Sequence, residues 1–252
     1  MALMIHCGNK LRTRAEVESS PTPEPTESWH PTPHISMVNM LEEKLPAYGF
    51  EITETALSLN DKGTRMFGMM NLATDNPEYS PVVGFRNAHD KMFSQGIVCG
   101  SSVFVCDNLA FSAEINFQRR HTRNIERDFP GIIDEALTKL RPAQEFQARR
   151  IESYKQCELD DPMVHHIAVR AMKDAIFSPS KIAKVVEEWD KPSHPEFEPR
   201  TLWSLFNAIT ETLKGGNIWV RSDNTQVLHR LFDAVANEIS GDNIIDVTAT
   251  IN

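Results

Sequence analysis

Hydrophobic positions follow a strand period through one stretch of the chain and a helix period through the next. Residues 8–34 show neither, because Pro21, Pro23, Pro25, Pro31 and Pro33 punctuate a run rich in Ser and Thr. Proline removes a backbone donor and favours extended geometry. Residues 1–34 therefore read as an arm with no helix or central strand. Met37, Val38, Met40, Leu41 and Leu45 are spaced as one face of a short helix over Ser36–Leu45, with Pro46 behind it. The period then drops to two. In Phe50–Leu59 the pair Phe50 and Ile52 sits one register off from Leu57 and Leu59, so a bulge is expected near Thr53–Thr55. Asn60–Asp61–Lys62–Gly63 is a turn signal, and Thr64–Leu72 completes a hairpin. Pro81–Asn87, Ile97–Cys106 and Leu109–Gln118 are three further strands. In the last, Leu109, Phe111, Ala113, Ile115 and Phe117 alternate with Ala110, Ser112, Glu114, Asn116 and Gln118. One face buried and one wet is the pattern of an antiparallel sheet covered on one side. Asp107–Asn108 suits the tight turn before it.

From Thr122 the period lengthens. Ile132, Ile133, Ala136, Leu137 and Leu140 form a helical stripe, and Pro142 predicts a kink or a restart. Asp160–Asp161 caps a helix reaching Ile176, and Ser178–Pro179 opens another that ends near Trp189. Pro192, Pro195 and Pro199 make Asp190–Arg200 a loop. Thr201 caps a helix stopped by Gly215–Gly216. Thr225–Ile239 carries Val227, Leu228, Leu231, Phe232, Val235 and Ile239 on one face, and Ile244–Ile251 reads as weakly β. The expected class is α+β: a mainly antiparallel sheet in the N-terminal half, then a helical C-terminal half. The expected division is an arm at 1–34, an α+β domain at 35–157 and a helical region at 158–252.

Charge narrows the function classes. The 252 residues hold 26 Lys+Arg against 35 Asp+Glu, a formal net charge of −9. That excludes a protein coating duplex DNA by overall charge, but leaves room for a local basic groove. Apolar runs such as Val103–Phe104–Val105–Cys106 fall far short of the ~20 residues that cross a membrane. Met1–Gly8 lacks the basic region and apolar core of a signal peptide. Cys7, Cys99, Cys106 and Cys157 form no CxxC pair, so a reducing cytoplasm is expected, with Cys99 and Cys106 as buried strand residues.

Two polar concentrations carry candidate chemistry. Arg86, Asn87, His89 and Asp90 fall within five residues at a strand end. On a strand, Asn87 and His89 face one way and Arg86 and Asp90 the other. The cluster reads either as a hydrogen-bond network that organises the sheet or as a polar site that His121 would join. The second concentration is Arg119, Arg120, Arg123 and Arg127 against Glu126, where the cleanest strand hands over to a helix. Guanidinium groups bind phosphate bidentately and helix N-termini attract anions, so these four arginines are the candidate nucleic-acid contacts. Arg119, Arg123 and Arg127 would form one stripe if helical; the alternative is an exposed face paired to acidic neighbours. Trp29 in the arm reads as a residue docked in a groove, or as a base-stacking aromatic. HExxH, a P-loop, G-x-G-x-x-G and G-x-S-x-G are absent, and His165–His166 is not an i, i+4 metal pair. No metal or cofactor is expected. A His89, Asp90 and His121 metal site with Cys99 or Cys106 has no spacing rule behind it.

Three segments in order carry a resemblance: Asn87–Ala88–His89–Asp90–Lys91, Ser102–Leu109 and Arg120–His121–Thr122. They resemble the N-S-H-D-G-S, V-C-S-N-G-L and R-H-T signatures of a family of phage- and plasmid-borne proteins of unknown function. Trp29–His34 and Thr64–Gly68 resemble that family's phage members, and the likeness covers roughly residues 5–240. The chain departs from the signatures at Ala88, Lys91, Asp107 and Ala110. The resemblance implies a mobile-element setting in the host cytoplasm and no established reaction. The order hairpin, strands, long helix is also similar to the core of phage single-strand annealing proteins of the RecT and Erf kind. The leading expectation is non-enzymatic handling of single-stranded DNA, binding or annealing, as a homo-oligomer. The alternatives are a module that binds a host protein and, behind it, a metal-dependent hydrolase using His89, Asp90 and His121.

Overall fold

The structure, a computed structural model, describes residues 9–75, 79–103, 108–213 and 218–241. Cys7, Cys106, Asp107, Gly215–Gly216 and Ile244–Ile251 lie outside the described residues, as do the side chains of Leu109, Phe111 and Ala113.

Six strands form one antiparallel sheet in sequence order: β1 (Asn9–Arg12), β2 (Ile52–Asn60), β3 (Arg65–Leu72), β4 (Tyr79–Ala88), β5 (Gln95–Val103) and β6 (Asn108–Arg119). The β2–β3 hairpin pairs Thr55 with Met70 and Leu59 with Met66, and its register shifts between Ile52 and Glu54. That shift is the expected bulge. It moves Leu57 and Leu59 onto the buried side, where each is 5% exposed. Gly63 closes the turn at φ 65°, in the left-handed region. Gly68 has a different reason to be glycine. It pairs with Phe85 across β3 and β4, and a Cβ there would lie 2.0 Å from the Phe85 ring.

The arm is more structured than its prolines suggest. β1 pairs along β2, and a short helix α1 (Arg14–Glu18) follows. The expectation of no helix in residues 8–34 is therefore corrected, whereas β1, at the edge of the sheet, is not a central strand. The reason is local: Thr13 and Glu16 form a capping box, with Glu16 accepting from the Thr13 backbone N–H at 2.7 Å. The prolines begin only at Pro21, so their restriction applies only beyond it. β1 is an edge strand, and Lys10 and Arg12 on it oppose further strand pairing. Helix α2 (His34–Ala47) buries His34, Met37, Val38, Leu41 and Leu45 against β2 and β4.

Helix α3 (Ile125–Gln156) runs 32 residues, unbroken at Pro142. The predicted restart does not occur. Buried residues continue at helical spacing on both sides, Ile133, Leu137 and Leu140 before the proline and Ala143, Gln147, Arg150 and Ile151 after it. Burial of that stripe offsets the one hydrogen bond proline removes. Next come α4 (Asp161–Lys173), α5 (Ile182–Asp190), α6 (Leu202–Thr212) and α7 (Ile218–Ser240). Asp160 caps α4 by accepting from the Met163 N–H at 2.8 Å, and Thr201 caps α6. The chain divides into two units, residues 1–102 with 115–141, and residues 103–114 with 142–252. The first holds most of the sheet, α1, α2 and the start of α3. In the second, Leu228, Leu231, Phe232 and Val235 of α7 and most of α6 are buried. No helix among the described residues is long and apolar enough to cross a membrane.

Candidate nucleotide-binding cleft

The Arg86–Asp90 run divides as strand geometry requires. Asn87 and His89 turn inward, whereas Asp90 accepts from Arg65 Nε at 2.5 Å and from the Met92 N–H at 3.2 Å. Arg86 donates to Gln118 at 2.7 Å and lies 4.9 Å over the Phe93 ring.

Asn87 is the hub of a buried network. Its Nδ2 donates to the Thr32 carbonyl at 2.9 Å and to His34 Nδ1 at 3.0 Å, and its Oδ1 accepts from His121 Nε2 at 2.6 Å. These bonds set the tautomers. His34 carries its proton on Nε2, which donates to the Gly63 carbonyl at 3.1 Å. His89 Nε2 donates to the same Thr32 carbonyl at 2.8 Å, and its ring stacks on His34 at 3.7 Å. Burial first, and then the neighbouring His89, push His34 down to about 3 and His121 down to about 4. The network ties the arm to α2, β4 and the segment before α3. Of the two readings offered for the cluster, its geometry is that of the sheet-organising one.

The arm thus held presents Trp29. Thr26 donates its N–H to the Trp29 carbonyl at 2.8 Å, and His30 donates to the His121 carbonyl at 2.9 Å. Trp29 lies on a cleft of about 510 Å³ with Lys91, Phe93, Arg120, His121 and Thr122. Lys91 Nζ stands 4.9 Å from the centre of the indole ring. Trp29 Nε1 is buried and has no hydrogen-bond partner. Lys91 has φ 63°, a conformation that costs a residue with a Cβ about 1–2 kcal/mol. Among the described residues lining this cleft there are two cations and no carboxylate. The cleft is open to solvent and its lining is mainly polar.

The four arginines do not form one stripe. Arg119 ends β6, Arg120 and Arg123 precede the helix, and only Arg127 is in α3. Arg119 and Arg127 both pair with Asp128, at 2.5 and 2.8 Å. Those two bonds, Arg127 first, hold the Asp128 carboxyl below its usual range. Arg120 and Arg123 are exposed, with no carboxylate partner among the described residues. Lys91 and Phe93 were missed as site residues. The positive φ that aims Lys91 depends on a turn whose geometry no spacing rule encodes.

His89, Asp90 and His121 do not come together as metal ligands. Asp90 is engaged by Arg65, His89 Nε2 is taken by the Thr32 carbonyl and His121 Nε2 by Asn87 Oδ1. Among the described residues no group of three His, Cys, Asp or Glu side chains is placed to hold a metal. Cys99 and Cys157 are buried, and burial pushes both thiols up. His165 and His166 are exposed on α4. A second polar cluster, absent from the sequence reading, is buried in the helical unit. Arg150 forms two 2.9 Å bonds to Asp233, and Tyr154 donates to the same carboxylate at 2.6 Å. Burial raises the pKa of Asp233 and Tyr154 and lowers that of His229 beside them. Its members are spaced i, i+4 on α3 and on α7, which is legible as a pair of polar breaks in two apolar stripes.

No curated protein and no solved structure matches the chain. A family model does, over residues 24–235, a span that includes Trp29, the histidine network and the cleft, and so the chain belongs to the DUF932 family, a domain of unknown function.

Proposed function

We propose that this protein binds single-stranded nucleic acid, without catalysing a reaction on it, through the cleft around Trp29. One observation carries the reading: an indole anchored by its backbone lies beside two unpaired cations, Lys91 and Arg120, in a concave site. Aromatic platforms with cations are what single strands require, because every base has a π-face and every linker a negative charge. A duplex hides its base faces, and the −9 net charge of the chain opposes coating it. Arg123, exposed and unpaired, extends the positive rim toward the start of α3. The resemblance of Asn87–Lys91 and Arg120–Thr122 to phage- and plasmid-borne proteins supports a mobile-element setting.

The test is fluorescence anisotropy of a labelled single-stranded oligonucleotide at two salt concentrations. Two phosphate contacts on a single strand give a log–log slope of about −1.4, so affinity should fall about sevenfold between ~50 and ~200 mM salt. Replacing Arg120 and Arg123 with Gln should weaken binding and flatten that slope. Absence of binding at the lower salt would overturn the proposal.

A further inference from the structure

We infer that the cleft is a single-nucleotide pocket in which Trp29 stacks one base while Lys91 and Arg120 hold the phosphate attached to it. The inference rests on the reading of this cleft as a nucleic-acid site and assigns it a ligand unit.

Lys91 sets its ammonium over one face of the Trp29 ring, on a cleft that the indole itself lines. A base can take that face without breaking a hydrophobic contact, and the displaced ammonium then meets the phosphate the base brings with it. The platform is preorganised. The peptide group that follows Trp29 is hydrogen-bonded through both its atoms, the carbonyl accepting from Thr26 and the His30 N–H donating to His121, and the Thr32 carbonyl further on accepts from Asn87 and His89. Little ordering remains to be done when a ligand arrives. The backbone of Lys91 supports the same assignment. Glycine adopts φ 63° without strain, yet this chain places there a side chain whose ammonium reaches the cleft. Strained positions persist where a side chain serves a ligand site, and Lys91 lines this cleft beside Trp29 and Arg120.

Lys91→Gly separates binding from folding. It removes the ammonium and relieves the backbone, so the thermal midpoint should stay level or rise. The experiment is calorimetric titration of wild type and Lys91→Gly with dTMP, thymidine, inorganic phosphate and a short oligo-dT. The expected result is that wild type binds dTMP about tenfold or more tighter than thymidine or phosphate, the gain from combining stacking with a charged contact. Lys91→Gly should weaken dTMP by about tenfold, the effect of one charge-assisted bond. Tryptophan quenching by dTMP should disappear in Trp29→Phe. If oligo-dT binds both proteins equally and dTMP binds neither, the pocket is refuted and strand binding stands on the arginine rim. If dTMP binds and oligo-dT does not, the pocket holds for a free nucleotide and the strand reading falls. Phosphate binding as tightly as dTMP refutes the stacking role of Trp29. No binding by any probe overturns both readings.

Discussion

Asn87 uses all its side-chain hydrogen-bonding geometry in one place, and that fixes the protonation of its neighbours. It donates to His34 Nδ1, which needs that nitrogen unprotonated, and it accepts from His121 Nε2, whose ring is held neutral by burial and by the neighbouring His89. Their folded values of about 3 and about 4 lie below the ~6.5 of an exposed imidazole. As pH falls, the unfolded chain takes up these protons first. The stability the two rings contribute is therefore fully present above about pH 6.5 and is lost as pH falls from there toward the folded values. Each contributes a slope of at most about 1.4 kcal/mol per pH unit. Urea midpoints should drop between pH 6.5 and 5, above the range where ordinary carboxylates titrate. A level midpoint across that window would mean the network opens to solvent. At this scale the sequence was half legible: Asn87, His89 and His121 were singled out, but His34 was not. His34 lies 53 residues from its Asn87 partner, and only α2 packing on β4 brings them together.

Helix ends were read from capping residues, and they were right where the cap is a side chain. Asp160 and Thr201 begin α4 and α6 as expected. The end of α4 was placed at Ile176, but the helix stops at Lys173. It closes through backbone alone: the Ile176 N–H donates to the Ala171 carbonyl at 3.0 Å and the Ala175 N–H to Met172 at 3.1 Å. This is the paired-bond C-cap normally built on glycine, with Ala175 at φ 57° in that role. Ala175→Gly should stabilise the protein by about 0.5–1 kcal/mol in urea denaturation, since it removes a Cβ penalty. A loss of stability would show that the methyl packs. The strands were legible because alternation and the Asn60–Gly63 turn act locally. α1 was not, because a four-residue capping box was outweighed by the prolines that follow it.

On the scale of the whole molecule, each unit carries polar groups at its centre. In the helical unit the Arg150–Asp233 pair is almost fully buried, with side chains 8% and 2% exposed. Such a pair adds little net stability, yet removing one partner strands a buried charge. Arg150→Met alone should cost about 3–5 kcal/mol, and the double change Arg150→Met with Asp233→Leu should recover most of it. Denaturant unfolding of the two variants decides this. A double variant as unstable as the single one would show that Tyr154 and His229 also need the carboxylate. The acidic surplus of the chain is likewise a property of the whole. It leaves Lys91, Arg120 and Arg123 as local exceptions, so any strand binding should be confined to one site and sensitive to salt.

Period, turn residues and side-chain caps act over a few neighbours, and so the α+β class, the β2–β3 hairpin, the bulge in β2 and most helix starts could be read from the chain alone. The cleft could not. It needs Trp29 docked from the arm, Lys91 turned into the left-handed region and Arg120 released from the carboxylate that takes Arg119 and Arg127. The docking of Trp29 depends on contacts with residues distant in sequence, and the other two on turn and side-chain geometry that the period and spacing of the chain do not encode, so hydrogen-bond geometry and desolvation select one arrangement among many that the local pattern permits equally.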